Sequence, residues 1–306
     1  MKVILAVDGS ASSMEAAQFF CRLPHQDRLE LTVLTVIGLP DVPLTASTDL
    51  WYAKFLEGQQ LQCDENYADM QELFEGANAD LTHVCKQGHV GHSITATADE
   101  MDADLIVMGS KGHSNLARVL LGSTSDYVAT HASMSVLVVR NQEMPRHRDI
   151  KMRIAVGYDH STYSQVAIDQ ISKVTWAKNA EVNVLSVVPL HRIIQHGLLP
   201  ADFEKRDDVV REATRYAEEA VKLLCNQGIH ATSTVVEAEH VGERIVSVTD
   251  ESNPDLIVLG NRGRSGIARA ILGSVSQYVL RHSNHSIWIV RADTTQTAII
   301  ELGVVP

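Results

Sequence analysis

One phrase occurs twice in this chain. GSKGHSNLARVLLGSTS occupies residues 109–125 and GNRGRSGIARAILGSVS residues 260–276, identical at nine of seventeen positions and offset by 151 residues. The same offset carries Asp8 onto Asp159, Ser10 onto Ser161, Val33 onto Val184 and Val36 onto Val187. His89-Val90-Gly91 falls on His240-Val241-Gly242, and Asp104-Leu105-Ile106-Val107 on Asp255-Leu256-Ile257-Val258. A register held this long is duplication of a whole domain, not a short solenoid repeat. The 306-residue length fits two domains. They are read as 1–141 and 151–292, with a polar linker containing Pro145 over 142–150 and a tail over 293–306. The tail ends TAIIELGVVP; docking and fraying are both open for it.

Within each half, short apolar runs alternate with longer helical patterns. KVILAV, LTVLTVI, LTHVCK, DLIVMG and SVLVVR are expected strands of the first half, and RIAVGY, EVNVLSVV, ATSTVVE, DLIVLG and SIWIVR of the second. Runs apolar on both faces imply sheets covered by helices on both sides. Residues 203–226 are rich in Ala, Glu and Arg and are stopped by Gly228, as a helix would be. Strand–helix alternation implies parallel strands joined by right-handed crossovers. The expected fold class is therefore α/β: two tandem domains, each an open five-stranded parallel sheet flanked by helices, Rossmann-like.

In open parallel sheets, ligands sit beyond the carboxyl ends of the strands, where the strand order switches. Asp8 and Asp159 end the first strand of each half, and Gly109 and Gly260 the fourth. The spacing G-x2-G-x9-G-S then places Gly112 and Gly263 in a loop, and Gly122-Ser123 and Gly273-Ser274 before a helical segment. Glycines admit close backbone approach and positive φ, and both are expected here. The N–H groups and hydroxyls of Ser123, Thr124 and Ser125, and of Ser274, Val275 and Ser276, would stand at a helix start, which favours phosphate. Lys111 and Arg262 add positive charge. A single such loop is often only a loop and a cap; two in the same strand–loop–helix context favour nucleotide binding.

The chain carries a formal net charge of −12, which gives no support to nucleic-acid binding but leaves room for a small anion in a backbone nest. The apolar run at residues 3–7 is too short for a signal peptide and ends at Asp8, and no stretch approaches a membrane span. Cys21, Cys63, Cys85 and Cys225 lack metal or redox spacing and are expected to be buried or incidental thiols in a reducing cytosol.

DLIVMGSKGHSNLARVLLGSTSDYVATHASMSVLVVR and its counterpart, with the opening strands ending VDGS and GYDHS, resemble the signatures of the universal stress protein family over residues 1–291. The glycine spacing is that of its ATP-binding branch, so the chain is similar to tandem universal stress proteins, whose fold is adenine-nucleotide alpha hydrolase-like. The resemblance implies a cytoplasmic, regulatory or stress-response protein that binds ATP, ADP or AMP, with or without Mg2+ held through the phosphates. It implies Asp8 and Asp159 near the adenosine, Val36 and Val187 along the adenine, and the glycines with Ser123, Thr124, Ser274 and Val275 around ribose and phosphates. It also implies pairing of the two halves through SVLVVR and SIWIVR, with Trp288 an interface anchor or core, and admits a homodimer and an unidentified protein partner.

The halves differ. His113 and Asn115 stand where the second has the more family-like Arg264 and Gly266, so the first is expected to grip phosphate less firmly. Tyr158 and His160 flank the second aspartate where Val7 and Gly9 flank the first, adding bulk at the adenosine end. No Walker A loop, G-x-S-x-G elbow, H-E-x-x-H or C-x-x-C pair is present, and no catalytic residue is assigned. Slow ATP hydrolysis, and an interaction module with a vestigial site, are the alternatives. His89, His240, His131 and His282 recur at helix ends without ligand spacing and are expected in capping, loop or core roles. HRIIQHGLLP, with His191 and His196, and GLPDVPLTASTDLWY are expected surface loops or lids.

Overall fold

A computed structural model describes residues 1–23, 28–39, 49–112, 121–140, 151–174, 179–190, 201–263 and 272–292, the side chains of 49–50 and 201–205 excepted. The linker, the tail, HRIIQHGLLP and most of GLPDVPLTASTDLWY lie outside these residues. The chain divides into two compact units, the first ending at Arg140.

The first unit runs β1 (Lys2–Ala6), α1 (Ala11–Arg22), β2 (Leu29–Gly38), α2 (Asp49–Leu73), β3 (Ala79–Gly88), α3 (Val90–Glu100), β4 (Leu105–Gly109), α4 (Ser123–His131) and β5 (Ser135–Val139). The second repeats it: β6 (Met152–Gly157), α5 (Thr162–Lys173), β7 (Ala180–Pro189), α6 (Ala201–Asn226), β8 (His230–Ala238), α7 (Val241–Ser252), β9 (Leu256–Gly260), α8 (Ser274–His282) and β10 (Ser286–Val290). The first sheet is ordered β3-β2-β1-β4-β5 and the second β8-β7-β6-β9-β10, each ladder within a unit parallel. All ten expected strands are present. From β1 the chain moves outward to β2 and β3, then returns to β4 on the other side, and β6 and β9 repeat this reversal. The reversal opens a crevice between the carboxyl ends of those two strands.

Burial follows the apolar runs. Every residue of β4, β5, β9 and β10 is buried, Trp288 among them. Gly228 ends α6 with φ +81°, the left-handed region that glycine enters without Cβ strain.

Two expectations are corrected. Cys63 of α2 and Cys85 of β3 are joined by a disulfide, not held as separate thiols, while Cys21 and Cys225 keep their thiols. A 22-residue separation spanning a helix and a strand carries no spacing motif, so the pair emerges only when α2 packs on β3. Nor does positive φ explain the glycine phrase. Gly122 and Gly273 have φ of −74° and −72°, and none of the six described phrase glycines has positive φ. Their requirement is space.

Candidate functional site

The phrase D-x-S-x-x-S builds the first wall of the site in both units. Ser10 and Ser161 cap α1 and α5, accepting from the backbone N–H of Ser13 and Ser164 at 3.2 Å. Asp8 Oδ1 and Asp159 Oδ1 accept from the N–H of Ser10 and Ser161 at 3.0 Å, fixing each carboxylate. The other oxygen, Oδ2, points at the glycine loop: a Cβ on Gly112 would lie 2.9 Å from that of Asp8, and one on Gly263 2.9 Å from that of Asp159.

The glycine phrase forms the second wall. A Cβ on Gly109 would lie 2.5 Å from the Ser12 carbonyl oxygen, and one on Gly260 2.5 Å from that of Tyr163, so the strand end lies directly on the first turn of α1 or α5. The loop is closed by Gly122 N–H donating to Ser110 O and Gly273 N–H to Asn261 O, both 2.7 Å. Ser125 and Ser276 are buried, and their hydroxyls donate to Gly109 O and Gly260 O at 2.8 Å. These hydroxyls therefore clamp the helix to the strand end, their donor spent on backbone. Ser123 and Ser274 are exposed, with Thr124 and Val275 half-buried beside them. Gly122 and Gly273 are the N-caps of α4 and α8, and no side chain caps the amides behind them.

In the second unit these walls enclose a cavity of about 400 Å3. Asp159, Val187, Gly260, Arg262, Gly263, Gly273, Ser274, Val275 and Ser276 all line it, together with Tyr158 and His160. Arg262 Nη1 donates to the Tyr163 hydroxyl at 3.0 Å, and its guanidinium lies 5.5 Å from that ring's centre. The like charge of Arg262 adds to burial in pushing the Arg291 guanidinium down to about 10. Arg262, a cation of the lining, gives this end a field that favours an anion. Burial, with Glu219 and Asp159 nearby, pushes the Tyr158 phenol up to about 12; its hydroxyl bonds Gln165 at 3.1 Å.

In the first unit Gly112 meets Asp8 in the same way, Gly109, Gly122 and Ser125 repeat the close approach, loop closure and clamp, Lys111 N–H donates to Ser12 Oγ at 3.3 Å, Ser123 and Thr124 stand at the start of α4, and half-buried Val36 lies near the carboxyl end of β2. His113, Asn115, Arg264 and Gly266 lie outside the described residues.

Sequence reading missed the wall contributed by α6: Val209, Glu212, Ala213 and Tyr216. Their i, i+3, i+4, i+7 spacing, one face of a single helix, is the signal that marks them. Tyr163, the partner of Arg262, was missed too. His89 caps α3 through Nδ1, and His131 and His282 engage the Tyr127 and Tyr278 carbonyls at 2.8 Å, in capping roles. Among the described residues no group of three or more His, Cys, Asp or Glu side chains converges as a metal centre, and no helix is long and apolar enough to cross a membrane.

The model of the universal stress protein family matches residues 1–140 and again 152–291. The chain belongs to the universal stress protein family. A universal stress protein of Mycolicibacterium smegmatis is 27% identical over 301 residues, covering 94% of this chain and 96% of that protein. One from Mycobacterium tuberculosis is 25% identical over 312 residues, with the same coverage of each. The crystal structure of a universal stress protein from Archaeoglobus fulgidus superposes with a TM-score of 0.67 at 19% identity, covering 96% of this chain and 97% of that one, and shares the fold.

Proposed function

We propose that each unit holds an adenine nucleotide at the switch point of its sheet, and that the bound state regulates the protein in a stress response. The observation that carries this reading is the second unit's cavity, into which Asp159, Val187, Arg262 and the two glycine segments converge. The phosphates would rest against the first-turn amides of α8 beside Arg262, where macrodipole and uncapped donors act together. Hydrogen bonds to a charged group contribute about 1.5–3 kcal/mol each, so a few of them support affinity after binding entropy is subtracted. The site fits a triphosphate chemically: cation and amides at one end, apolar Leu185, Val187 and Val188 at the other. Mg2+, bound through the phosphates, would find a hard oxygen in Asp159 Oδ2. The role is binding, with nucleotide-dependent engagement of a partner as the output.

Calorimetry of nucleotide-stripped full-length protein with ATP, ADP and AMP, with and without Mg2+, tests the reading. Saturable heat that weakens at least tenfold in Arg262→Glu supports it; no heat at millimolar ligand refutes it.

A further inference from the structure

We propose that Glu212 selects the base in the second unit's site, accepting a hydrogen bond from the exocyclic amino group of a 6-aminopurine and disfavouring 6-oxopurines. This rests on the nucleotide reading above and names what the far end of the same cavity recognises.

The cavity has two chemically distinct ends. Arg262 and the glycine segments form one; the carboxyl end of β7 and the inner face of α6 form the other. The second end is apolar, as a base face requires, except for Glu212 at its rim and the hydroxyls and imidazole around it. The lining carries two carboxylates, and they are not equivalent. Asp159 accepts through Oδ1 from the backbone and hydroxyl of Ser161 and turns Oδ2 towards the glycine loop at the other end. Glu212 receives through Oε1 the Tyr216 hydroxyl at 3.0 Å, one helical turn on. The Tyr216 ring is in turn held by His160, with ring centres 3.4 Å apart and planes 10° apart. Imidazole, phenol and carboxylate therefore form a chain whose last member is oriented by the first two, with Oε2 left as an acceptor.

A carboxylate accepts and does not donate. At the 6 position an amino group meets it with an N–H, whereas an oxo group presents lone pairs to the negative charge, and the N1–H of a 6-oxopurine reaches Oε2 only if the base shifts along its edge. A site built to pair with a donor rejects the analogue lacking it more strongly than an apolar pocket rejects a change of size. At this rim the preference is expected to be about tenfold, the lower end for a hydrogen bond to a charged group. The first unit lacks the device: the 151-residue offset puts exposed Leu61 in place of Glu212, Glu65 in place of Tyr216 and Gly9 in place of His160.

The test compares ATP with ITP by calorimetry on full-length protein carrying Lys111→Glu, which reverses the charge on the first unit's loop. With Glu212 intact, ATP should bind about tenfold tighter than ITP. Glu212→Gln, whose amide both donates and accepts, should bring the two within about twofold, and Glu212→Leu should remove the preference. Unchanged circular dichroism and thermal unfolding establish that each variant is folded. Equal binding of ATP and ITP with Glu212 intact, or a preference that survives both substitutions, overturns the assignment and leaves the nucleotide reading standing. No binding of either nucleotide refutes that reading and this assignment with it.

Discussion

Gly260→Ala is the sharpest probe of how the cradle is built. The added methyl would lie 2.5 Å from the Tyr163 carbonyl oxygen, 2.7 Å from its carbon and 3.1 Å from Ser164 N, all backbone. Non-bonded carbons rest at about 3.5–4.0 Å, so strand and helix must separate by about 1 Å. Neither can yield alone. The first turn of α5 is fixed by the Ser161 cap and Asp159, and the strand end by the Ser276 hydroxyl on Gly260 O. Overpacking a close-fitted core costs about 1–3 kcal/mol, and a clash with backbone belongs at the upper end, about 3 kcal/mol. With urea slopes of about 1–3 kcal/mol/M, the second unit's midpoint should fall by about 1 M or more. Gly58→Ala is the control. Gly58 sits inside α2 with nothing within 4 Å of an added Cβ, so the same substitution should stabilise by about 0.5–1 kcal/mol. Urea melts followed by far-ultraviolet circular dichroism measure both. Gly260→Ala within about 0.5 kcal/mol of the parent would refute the claim that these glycines exist for close approach.

Two further outcomes are expected. The Cys63–Cys85 disulfide closes a 22-residue separation, for which chain entropy gives about 3 kcal/mol; dithiothreitol should lower the first unit's urea midpoint, and Cys63→Ser/Cys85→Ser should be insensitive to it. Tyr158, pushed up to about 12 by burial, should be the last tyrosine to ionise in an alkaline absorbance titration. Because its folded pKa is raised, its contribution to stability is complete below about pH 10 and is lost as pH rises towards 12, so Tyr158→Phe should flatten the alkaline fall in stability over that window.

The fold was legible because duplication and strand–helix alternation are long-range patterns that no single residue can spoil. In the second unit the expected positions that are described meet around one cavity, since the strand ends and helix starts that line it follow from the topology. Roles were less legible. Ser125 and Ser276 stand beside Ser123 and Ser274 in sequence, yet the helical turn sends the first pair inward and the second outward. A one-dimensional motif cannot separate clamp from ligand donor. The glycines were expected to serve both close approach and positive φ, and the described ones serve close approach alone, a distinction that depends on what lies opposite. The α6 wall and the disulfide both depend on which face a long helix turns to the sheet, and α2, carrying Cys63, offers little apolar contrast from which to read it.

The same distinction explains what diverged between the halves. Where backbone meets backbone a Cβ clashes at Gly109 and Gly260 and crowds at Gly122 and Gly273, and all four are retained, as are the clamping Ser125 and Ser276. Side chains aimed into the open space carry no such constraint, and there the copies part. In the first unit Ser12 Oγ receives the Lys111 backbone N–H at 3.3 Å, so one amide of the loop is already engaged. In the second, Tyr163 stands at the Ser12 position and instead holds the side chain of Arg262. The first loop thus has its Lys111 amide on a serine hydroxyl, whereas the second has a guanidinium already oriented by a phenol, which loses less freedom on binding. Duplication preserved the frame by sterics and left the contents of each site to drift apart.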